Sequence, residues 1–406
     1  MKREFTDNEL NALLDFADSH ARTDAVTLLL HRDKYPDIDI EQAIQQIEGR
    51  RQASVKWPTL VSCRNFLFPP RLNREQSSSD LTAEYKRRLA ESLAKGSIRI
   101  ADLTGGMGID TLHLAEIPGS HVDYSEQDEE LCLLASHNFT ALGKTNIDIH
   151  HGDSMEWLKQ TDPCNTFDII VIDPARRDGK GRKVAAFEDC TPNLLNNLEL
   201  LKSCSRWMIV KASPMIDIDK GLSELKETAE VHVVSVKGEC KEVLFIVGGD
   251  NNRPKIVCTE LNNSGIQSQF TFSREEEASA TADYCDQIGR FIYEPDATIM
   301  KAGPYKLLSQ QYGLRKLARN THLYTSDEMI SGWIGRVFEV EKPLKPRKKE
   351  ILSAIPSMRA HVVTRNYPSE AAELQKSLGI KEGGDKFIIA TTVGTKKMVF
   401  LCRACK

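Results

Sequence analysis

The chain has 406 residues, 40% of them hydrophobic, and a formal net charge of −4. This length and apolar share suffice for two or three domains with well-filled cores, and no apolar run approaches the ~18 residues that a membrane-spanning helix needs. We therefore expect a cytoplasmic protein without a membrane anchor, and the polar start of the chain predicts no signal peptide.

Cysteine usage agrees with a reducing compartment. The ten cysteines are scattered, without the regular spacing of a disulfide framework. Cys402 and Cys405 form the single CxxC pair, and no second pair or histidine accompanies it. We therefore predict free thiols and no bound metal.

The charge is unevenly distributed along the chain. Residues 331–406 contain 15 Lys and Arg against 7 Asp and Glu, so this end carries +8 and the remainder −12. The densest part is Lys342–Lys349, with the sequence K-P-L-K-P-R-K-K. Such a run can neutralise the phosphates of a nucleic acid, and it can equally be a solvated linker.

The first 75 residues predict helices followed by a linker. Thr6 and Glu9 have the spacing of a capping box, and a later helix that begins near Asp39 has an apolar face. That face consists of Ile40, Ala43, Ile44 and Ile47. A link that contains Trp57 then leads to a further helix starting near residue 76. We predict an N-terminal helical segment and linker over 1–75.

An apolar strand over 98–103 opens directly into a glycine-rich turn. The turn contains three glycines at which the backbone can adopt positive φ or approach a ligand closely, namely Gly105, Gly106 and Gly108. A helix should follow at once, because Asp110 or Thr111 can cap it. The free N–H groups of its first turn then point at the ligand, so the turn is predicted to hold a nucleotide-like molecule.

Acidic residues follow the next three predicted strands. The strands are 121–124, 146–151 and 167–172, and the acids are Glu126, Asp153 and Asp173. The first acid, about 20 residues after the glycines, can accept hydrogen bonds from ribose hydroxyls, and the second can accept from an amine such as adenine N6. Taken singly, each is more often a loop residue or a helix cap. The ordered series predicts a ligand site at the carboxyl ends of parallel strands.

This series resembles the motifs of the class I S-adenosylmethionine-dependent methyltransferases. That family has D-x-x-x-G-x-G after the first strand, an acid after each of the next two, and D-P-P or N-P-P-Y after the fourth. Here the first motif reads D-L-T-G-G-M-G over 102–108, and the last begins Asp173-Pro174. The resemblance implies S-adenosyl-L-methionine as the cofactor, with the glycine loop at its methionine part, Glu126 at its ribose and Asp153 at its adenine. The implied cofactor-binding residues are Asp102, Thr104, Gly105, Gly106, Gly108, Glu126, Asp153 and Thr82.

Thr82 belongs to this set because of the segment before the first strand. In similar methyltransferases that segment closes over the cofactor, so Ser78, Ser79 and Thr82 are candidates to bind the cofactor carboxylate. The alternative is that these hydroxyls only cap the helix that begins here.

Three further strands complete the predicted sheet. They are 207–211, 231–236 and 243–247, and the last two form an antiparallel hairpin. Seven strands match the sheet of the resembled family. We predict an α/β, Rossmann-like methyltransferase domain over 76–250, which ends at the glycine- and asparagine-rich residues 248–252.

The remainder is predicted as two α+β domains. Residues 331–406 resemble the THUMP modules of RNA-modifying enzymes, which are often paired with a ferredoxin-like domain. This implies a ferredoxin-like domain over 251–330 and a basic THUMP-like domain over 331–406. The whole chain thus resembles a bacterial methyltransferase family with both modules, on the motifs Q-S-S-S-D-L-T-A, D-L-T-G-G-M-G-I-D-T and V-I-D-P-A-R-R-D. The module follows the catalytic domain here, whereas better-known THUMP enzymes place it first.

The resemblance implies methyl transfer to RNA, either tRNA or rRNA, with Asp173, Pro174 and Arg176 as catalytic residues. Asp173 can accept a proton or a hydrogen bond from the acceptor, Pro174 stiffens the loop, and Arg176 can grip a phosphate. Arg176 can equally form an ion pair with Glu188 or Asp189. The usual D-P-P-Y aromatic is missing, which speaks against exocyclic amine chemistry.

Two alternatives stay open at this point. The acceptor can be a protein or a small molecule, or the chain can be a catalytically silent RNA-binding protein that retains the cofactor site. Cys240 is a further candidate, as a nucleophile for carbon methylation, against the alternative of a buried structural thiol.

Overall fold

The computed structural model describes residues 6–161, 166–176, 187, 190–249 and 253–405, with backbone alone for Asp7, Ala175 and Arg176. The described chain forms two compact units. The first contains the residues up to 229 together with 244–249, and the second contains 230–243 together with the residues from 253 onward. No described helix combines the length and the apolar character of a membrane span.

The first unit begins with five helices, after which strands and helices are interspersed. Its helices are α1 Asp7–Ser19, α2 Ala25–Leu30, α3 Ile40–Lys56, α4 Arg71–Gln76, α5 Asp80–Leu93, α6 Ile109–Leu114, α7 Glu129–Ala141, α8 Ser154–Gln160, α9 Leu198–Cys204 and α10 Ile218–Glu224. Its strands are β1 Ile98–Asp102, β2 Ser120–Glu126, β3 Ile147–His151, β4 Phe167–Ile172, β5 Ala175–Arg176, β6 Cys190–Thr191 and β7 Ser205–Ala212. The chain passes between the units within β8 Thr228–Val236 and β9 Glu239–Gly248. Short 3-10 helices occupy Arg32–Lys34 and Pro58–Leu60.

A sheet in which the strands follow the order β9-β7-β4-β1-β2-β3 forms the centre of the first unit. β1 pairs in parallel with β2 and with β4, and β3 and β7 continue the parallel arrangement on either side. Ile98, Ile100 and Ala101 of β1 are buried, as expected for a strand covered on both faces. The carboxyl ends of β1 to β4 and β7 therefore meet at one edge of the sheet. The prediction of an α/β, Rossmann-like sheet is confirmed.

The predicted hairpin is formed by β8 and β9. Lys237 and Gly238 connect the two strands, and both have positive φ, at 54° and 74°. Two consecutive positive φ angles are characteristic of the type I′ turn, whose twist matches that of an antiparallel pair.

The N-terminal helices pack into the core of the first unit. Trp57 and Phe68 share a buried cluster with Tyr124 of β2 and Phe139 of α7. The Trp57 indole N–H also donates to the Ser78 carbonyl oxygen at 2.7 Å. The segment between α3 and α5 therefore lies directly against the strand that supports the glycine loop. The division into domains over 1–75, 76–250, 251–330 and 331–406 stays a prediction.

The second unit contains two groups of strands. Its remaining strands are β10 Lys255–Asn262, β11 Gly265–Ser273, β12 Asp283–Tyr284, β13 Phe291–Pro295, β14 Arg315–Ala318, β15 Thr321–Ser326, β16 Gly335–Leu344, β17 His361–Arg365, β18 Lys386–Val393 and β19 Lys396–Ala404. Its helices are α11 Arg274–Ser279, α12 Ala297–Ala302, α13 Tyr305–Tyr312, α14 Lys348–Ser353 and α15 Ala371–Leu378. β10 pairs with β8 in parallel and with β11 antiparallel. The others form an eight-stranded sheet of order β12-β14-β15-β13-β16-β19-β18-β17.

One buried carboxylate joins three strands of that eight-stranded sheet. Glu294 on β13 is 3% exposed and accepts from Arg336 Nε of β16 at 2.8 Å. Arg365 of β17 approaches its other oxygen at 2.8 Å. Since a buried carboxylate is stable only when paired, these two arginines fix β16 and β17 relative to β13.

Candidate active site

The glycine loop follows β1, and its glycines are required for two different reasons. Gly106 and Gly108 have φ of 54° and 81°, where residues with a side chain are strained. Gly105 has no room for a side chain, since a Cβ there would lie 2.1 Å from Cε2 of Tyr124. The Tyr124 hydroxyl donates to the Gly106 carbonyl oxygen at 2.7 Å. The loop therefore rests on the buried Tyr124 ring and is held in one conformation.

Asp102 ends β1 with a buried carboxylate. The Thr111 hydroxyl donates to it at 2.6 Å, and the Thr104 N–H donates at 3.2 Å. The pKa of Asp102 is raised to about 7, chiefly by burial; the hydrogen bonds from Thr111 and Thr104 lower it, and the charges of Asp110 and Asp173 add to the rise. A carboxyl group in this state favours a ligand that brings positive charge.

Glu126 and Asp153 lie at the ends of β2 and β3, where the sequence predicts them. Glu126 accepts hydrogen bonds from the N–H groups of Gly106 and Asp128, both at 2.9 Å. Asp153 caps α8 by accepting from the Met155 N–H at 2.8 Å, and Gln127 donates to its other oxygen at 3.3 Å. Glu126 is therefore in contact with the glycine loop. Asp153 is linked to Glu126 through Gln127, which follows Glu126 in the sequence and donates to Asp153.

Asp173 lies immediately after β4, beside the glycine loop. Its N–H donates to the Thr104 hydroxyl at 2.7 Å, and its carboxylate forms an ion pair with Lys211 of β7. Pro174 is buried. The structure thus brings together Asp102, Thr104 and Asp173, as the sequence predicts, and adds Lys211.

Lys211 is a site residue that the sequence analysis missed. The sequence pattern places it only as the last residue of the predicted strand 207–211. β4 and β7 pair in parallel with Ile172 opposite Val210, so Asp173 and Lys211 are the next residues on adjacent strands. The signal was a lysine at the carboxyl end of a buried strand, where an unpaired charge is unfavourable.

A fully buried lysine lies near the start of α6. Lys86 of α5 is fully buried, and its ammonium lies 3.2 Å from Asp110 and 3.1 Å from the Ser78 hydroxyl. The Ser78 hydroxyl donates to Asp110 at 2.8 Å. Burial alone would raise the pKa of Asp110, but the ammonium groups of Lys86 and Lys211 outweigh it and lower that pKa. Sequence patterns do not predict this position for Lys86, because a lysine within a helix is usually solvated.

The hydroxyl groups of the α5 cap are already hydrogen bonded. Ser79 Oγ accepts from the Thr82 N–H at 3.3 Å, and Thr82 Oγ1 accepts from the Ser79 N–H at 3.0 Å. This is a reciprocal capping box. Ser78 is bound to Asp110 and Lys86. Thr82 therefore has a structural role here, and its contact with a cofactor carboxylate stays a prediction.

The loop after Pro174 is described only in part. The backbone of β5, which includes Arg176, pairs antiparallel with β6. The side chain of Arg176 lies outside the described residues, as do Arg177, Glu188 and Asp189. The phosphate-binding role of Arg176 and its alternative ion pair both stay predictions.

Two other candidate groups have different environments. Burial raises the pKa of the Cys240 thiol to about 12, so little thiolate is present at neutral pH, and the structural interpretation of this cysteine is favoured. His121, Asp123 and Asp148 place potential metal-ligand atoms within 4.8 Å of one another. Asp123, however, accepts from Arg99 Nε at 3.0 Å and lies 2.7 Å from Nε2 of His150. A metal ion would compete there with a guanidinium group.

Family models match the C-terminal part of the chain. One described as a ferredoxin-like domain matches residues 291–333, and one described as a THUMP-like domain matches residues 335–404. Both predicted C-terminal modules are therefore confirmed.

Two curated relatives match the chain to very different extents. An uncharacterized S-adenosylmethionine-dependent methyltransferase of Mycobacterium tuberculosis is 24% identical over 87% of this chain and 94% of its own length. The ribosomal RNA small subunit methyltransferase J of Bdellovibrio bacteriovorus is 35% identical, over 21% of this chain and 34% of its own length.

A solved structure matches the entire chain. It belongs to a candidate methyltransferase from Porphyromonas gingivalis W83, with 30% sequence identity, a TM-score of 0.85 and complete coverage of both chains. Together with the glycine loop and the acids at the strand ends, this match identifies the class of enzyme. The chain belongs to the S-adenosylmethionine-dependent methyltransferases that carry C-terminal ferredoxin-like and THUMP-like domains.

Proposed function

We propose that the first unit binds S-adenosyl-L-methionine and that the enzyme methylates RNA, either tRNA or rRNA. The observation that carries the proposal is the direct connection between the cofactor loop and the acceptor side of the site. Thr104 of the loop holds the backbone of Asp173, while Asp102 at the end of the adjacent strand lies buried beside both.

The residues present fit this cofactor chemically. Its sulfonium and ammonium groups are positive, and the strand ends supply carboxylates in a partly buried site where charge interactions are strong. Asp102, Thr104 and the glycines would hold its methionine part, Glu126 its ribose and Asp153 its adenine, with Thr82 near its carboxylate. When bound, S-adenosylmethionine supplies an activated methyl group.

The chain's own residues position the acceptor. Asp173 is 42% exposed, so an acceptor can reach its carboxylate and donate a hydrogen bond or a proton to it. The buried Pro174 restricts the loop that follows. We assign Arg176 to binding an acceptor phosphate. Orientation of the acceptor accounts for most of the catalysis, because the methyl group is already activated.

An RNA acceptor is supported by the second unit. Lys342, Lys345, Arg347, Lys348 and Lys349 are all exposed, at the end of β16 and the start of α14. In the described part of the chain, no carboxylate forms an ion pair with them. An exposed basic cluster of this kind in a THUMP-like module suits a phosphate backbone. The described cysteines are free thiols, which agrees with the cytoplasm as the proposed compartment.

The experiment supplies radiolabelled S-adenosylmethionine with total RNA, protein and small-molecule fractions, each from cells that lack the enzyme. We expect label in RNA. Asp173→Ala should abolish it and leave cofactor affinity unchanged. Label only in protein or small molecules would reject an RNA acceptor, and cofactor binding without any transfer would favour a silent RNA-binding protein.

The basic cluster is tested separately. A Lys345→Glu, Arg347→Glu, Lys349→Glu variant should bind RNA more weakly and show a smaller salt dependence, because fewer counterions are released. The matched control is Arg32→Glu with Lys34→Glu, which reverses two exposed charges in the first unit. Equal RNA affinity of both variants would contradict the role of the cluster.

A further inference from the structure

Lys211 and Asp173 present a donor and an acceptor side by side at the proposed acceptor site. They follow the paired residues Val210 and Ile172 on adjacent parallel strands, and their charged groups are in contact. The Asp173 side chain is 42% exposed and that of Lys211 is 13% exposed. A ligand at this edge of the sheet would therefore meet the Asp173 carboxylate with the less exposed Lys211 ammonium group beside it.

The position of this pair is fixed from both sides. The Asp173 N–H is bound to the Thr104 hydroxyl, and its carboxylate is bound to Lys211. β4 and β7 are both buried strands of the central sheet, so neither backbone can move freely. The site is therefore preorganised for a ligand that supplies a proton to the carboxylate and negative charge to the ammonium.

The charge of Lys211 distinguishes two kinds of nitrogen acceptor. An amino group or an amidine nitrogen becomes positively charged when it is methylated, and an ammonium group beside it would oppose that reaction. A lactam, in which N–H is bonded to C=O, instead loses its N–H proton and places negative charge on the oxygen. A nearby ammonium group stabilises that charge.

We propose that Lys211 and Asp173 recognise the lactam edge of guanine or uracil in RNA and that Lys211 stabilises the oxyanion formed there. The assignment rests on the proposed function and narrows its substrate class. Asp173 accepts a hydrogen bond from the ring N–H, and Lys211 donates one to the adjacent carbonyl oxygen. The missing aromatic residue after Asp173-Pro174 agrees with this, since that residue accompanies exocyclic amine chemistry.

The step is balanced in atoms and charge. The ring N–H proton passes to the Asp173 carboxylate, a bond forms between the ring nitrogen and the methyl carbon, and the bond between that carbon and sulfur breaks. As Asp173 takes the proton, negative charge develops on the base oxygen, where the Lys211 ammonium group stabilises it. Attack of the ring nitrogen on the methyl carbon consumes this charge, so the methylated lactam and the departing sulfur are both neutral. The proton leaves Asp173 to water afterwards.

The first test locates the methyl group. Radiolabelled RNA is digested to nucleosides, and we expect the label on a lactam ring nitrogen of guanosine or uridine. Label on an amino group, on a carbon or on ribose would overturn this assignment and leave the proposed function intact. The absence of label in RNA would overturn both.

If the label lies in guanine, base analogues show whether the enzyme requires the lactam group or the amino group. Inosine keeps the lactam edge and lacks the 2-amino group, so a transcript with inosine at the modified position should still be methylated. 2-Aminopurine keeps the amino group and lacks the lactam, so its transcript should not be methylated. The reverse result would refute the assignment.

The role of Lys211 is tested by measuring kcat and RNA affinity separately in variants of this residue. Lys211→Met should lower kcat by about 10²-fold, as expected for the loss of one charge-stabilising donor, and leave RNA affinity without cofactor nearly unchanged. Lys211→Arg keeps the charge and should recover part of the rate. The matched control is Lys202→Met, which removes the ion pairs of a partly buried lysine of α9 with Glu199 and Glu227 and should keep full kcat. A Lys211→Met variant with normal kcat, or one impaired only in RNA affinity, would contradict the assignment.

Discussion

Thr104 and Asp173, 69 residues apart in sequence, are joined by a 2.7 Å hydrogen bond from the Asp173 N–H to the Thr104 hydroxyl. The Thr104 N–H in turn donates to Asp102 at 3.2 Å. A side chain of the predicted cofactor loop thus fixes the residue predicted to contact the acceptor. Small displacements of reacting groups cost much rate, so we expect this bond to affect turnover more than cofactor binding.

Thr104→Val tests this relationship. It removes the hydroxyl acceptor while preserving shape, so we expect about 1 kcal/mol less free energy of unfolding and a kcat reduced by roughly tenfold or more. The affinity for S-adenosylmethionine, measured by calorimetry, should change much less. Thr104→Ser keeps the hydroxyl and serves as the control. Equal turnover of the two variants would show that the bond does not position Asp173.

Asp102 predicts a pH dependence of cofactor binding. Burial raises the pKa of its carboxyl group to about 7, so a positively charged ligand should favour the ionised form and lower that pKa. The affinity for S-adenosylmethionine should therefore rise as the pH increases through about 7, with uptake of ligand coupled to release of a proton. Calorimetric titrations in two buffers of different ionisation enthalpy measure the number of protons released on binding.

The control for this prediction is Asp102→Asn. It removes the titrating group, so its weaker cofactor binding should show no change through this pH range. The free energy of unfolding should depend on pH in the opposite direction from the cofactor affinity. Since the pKa of Asp102 is raised on folding, its contribution to the free energy of unfolding is lost as the pH rises toward about 7. Wild-type affinity that is independent of pH would contradict the prediction.

Gly105→Ala should disrupt the glycine loop. The new Cβ would lie 2.1 Å from the Tyr124 ring, which is buried and anchored by its hydroxyl to Gly106. Overpacking of this kind costs about 1–3 kcal/mol, and the displaced loop should bind S-adenosylmethionine poorly. Thermal unfolding and cofactor titration measure the two effects.

Gly143→Ala is the matched control. Gly143 has φ of 67°, and no described residue comes within 4 Å of its Cβ position. It should therefore show a backbone penalty of about 1–2 kcal/mol and normal cofactor affinity. If Gly105→Ala binds the cofactor equally well, the loop tolerates displacement and the Tyr124 contact is not required.

The sequence allowed prediction of those parts of the site that are local. The motif over 102–108 and the acids after the strands are read from neighbouring residues, and the sheet brings their ends together as expected. Lys211 could not be assigned in this way, because its partner is set by the pairing of β4 with β7. The contacts of Lys86 and Ser78 with Asp110 could not be predicted for the same reason, since they depend on how α5 packs against α6.

The position of the N-terminal segment was also beyond sequence reasoning. Its helices were predicted from capping and periodicity, but nothing local indicates which surface they cover. The structure places Phe68 and Trp57 in one cluster with Tyr124 and Phe139, on the side of β2 that supports the glycine loop. Packing between residues about 70 positions apart decides this arrangement, and it gives the segment a role in the site.

Asn138 should anchor that segment to the first unit. Its side chain is 1% exposed and exchanges two 2.8 Å hydrogen bonds with the backbone of Leu67, accepting from the N–H and donating to the carbonyl oxygen. Asn138→Ala leaves both Leu67 groups buried without these partners, at about 1–3 kcal/mol each. We therefore expect a free energy of unfolding lower by about 2–6 kcal/mol, measured by denaturant titration.

The exposed Asn196→Ala is its control and should change the free energy of unfolding by less than about 0.5 kcal/mol. Hydrogen exchange should show faster exchange around Leu67 in Asn138→Ala, because the segment opens locally before the sheet does. Since Phe68 packs in the same cluster as Tyr124, cofactor affinity should fall as well. Faster exchange at Leu67 with unchanged cofactor affinity would show that the N-terminal segment stabilises the unit without supporting the glycine loop.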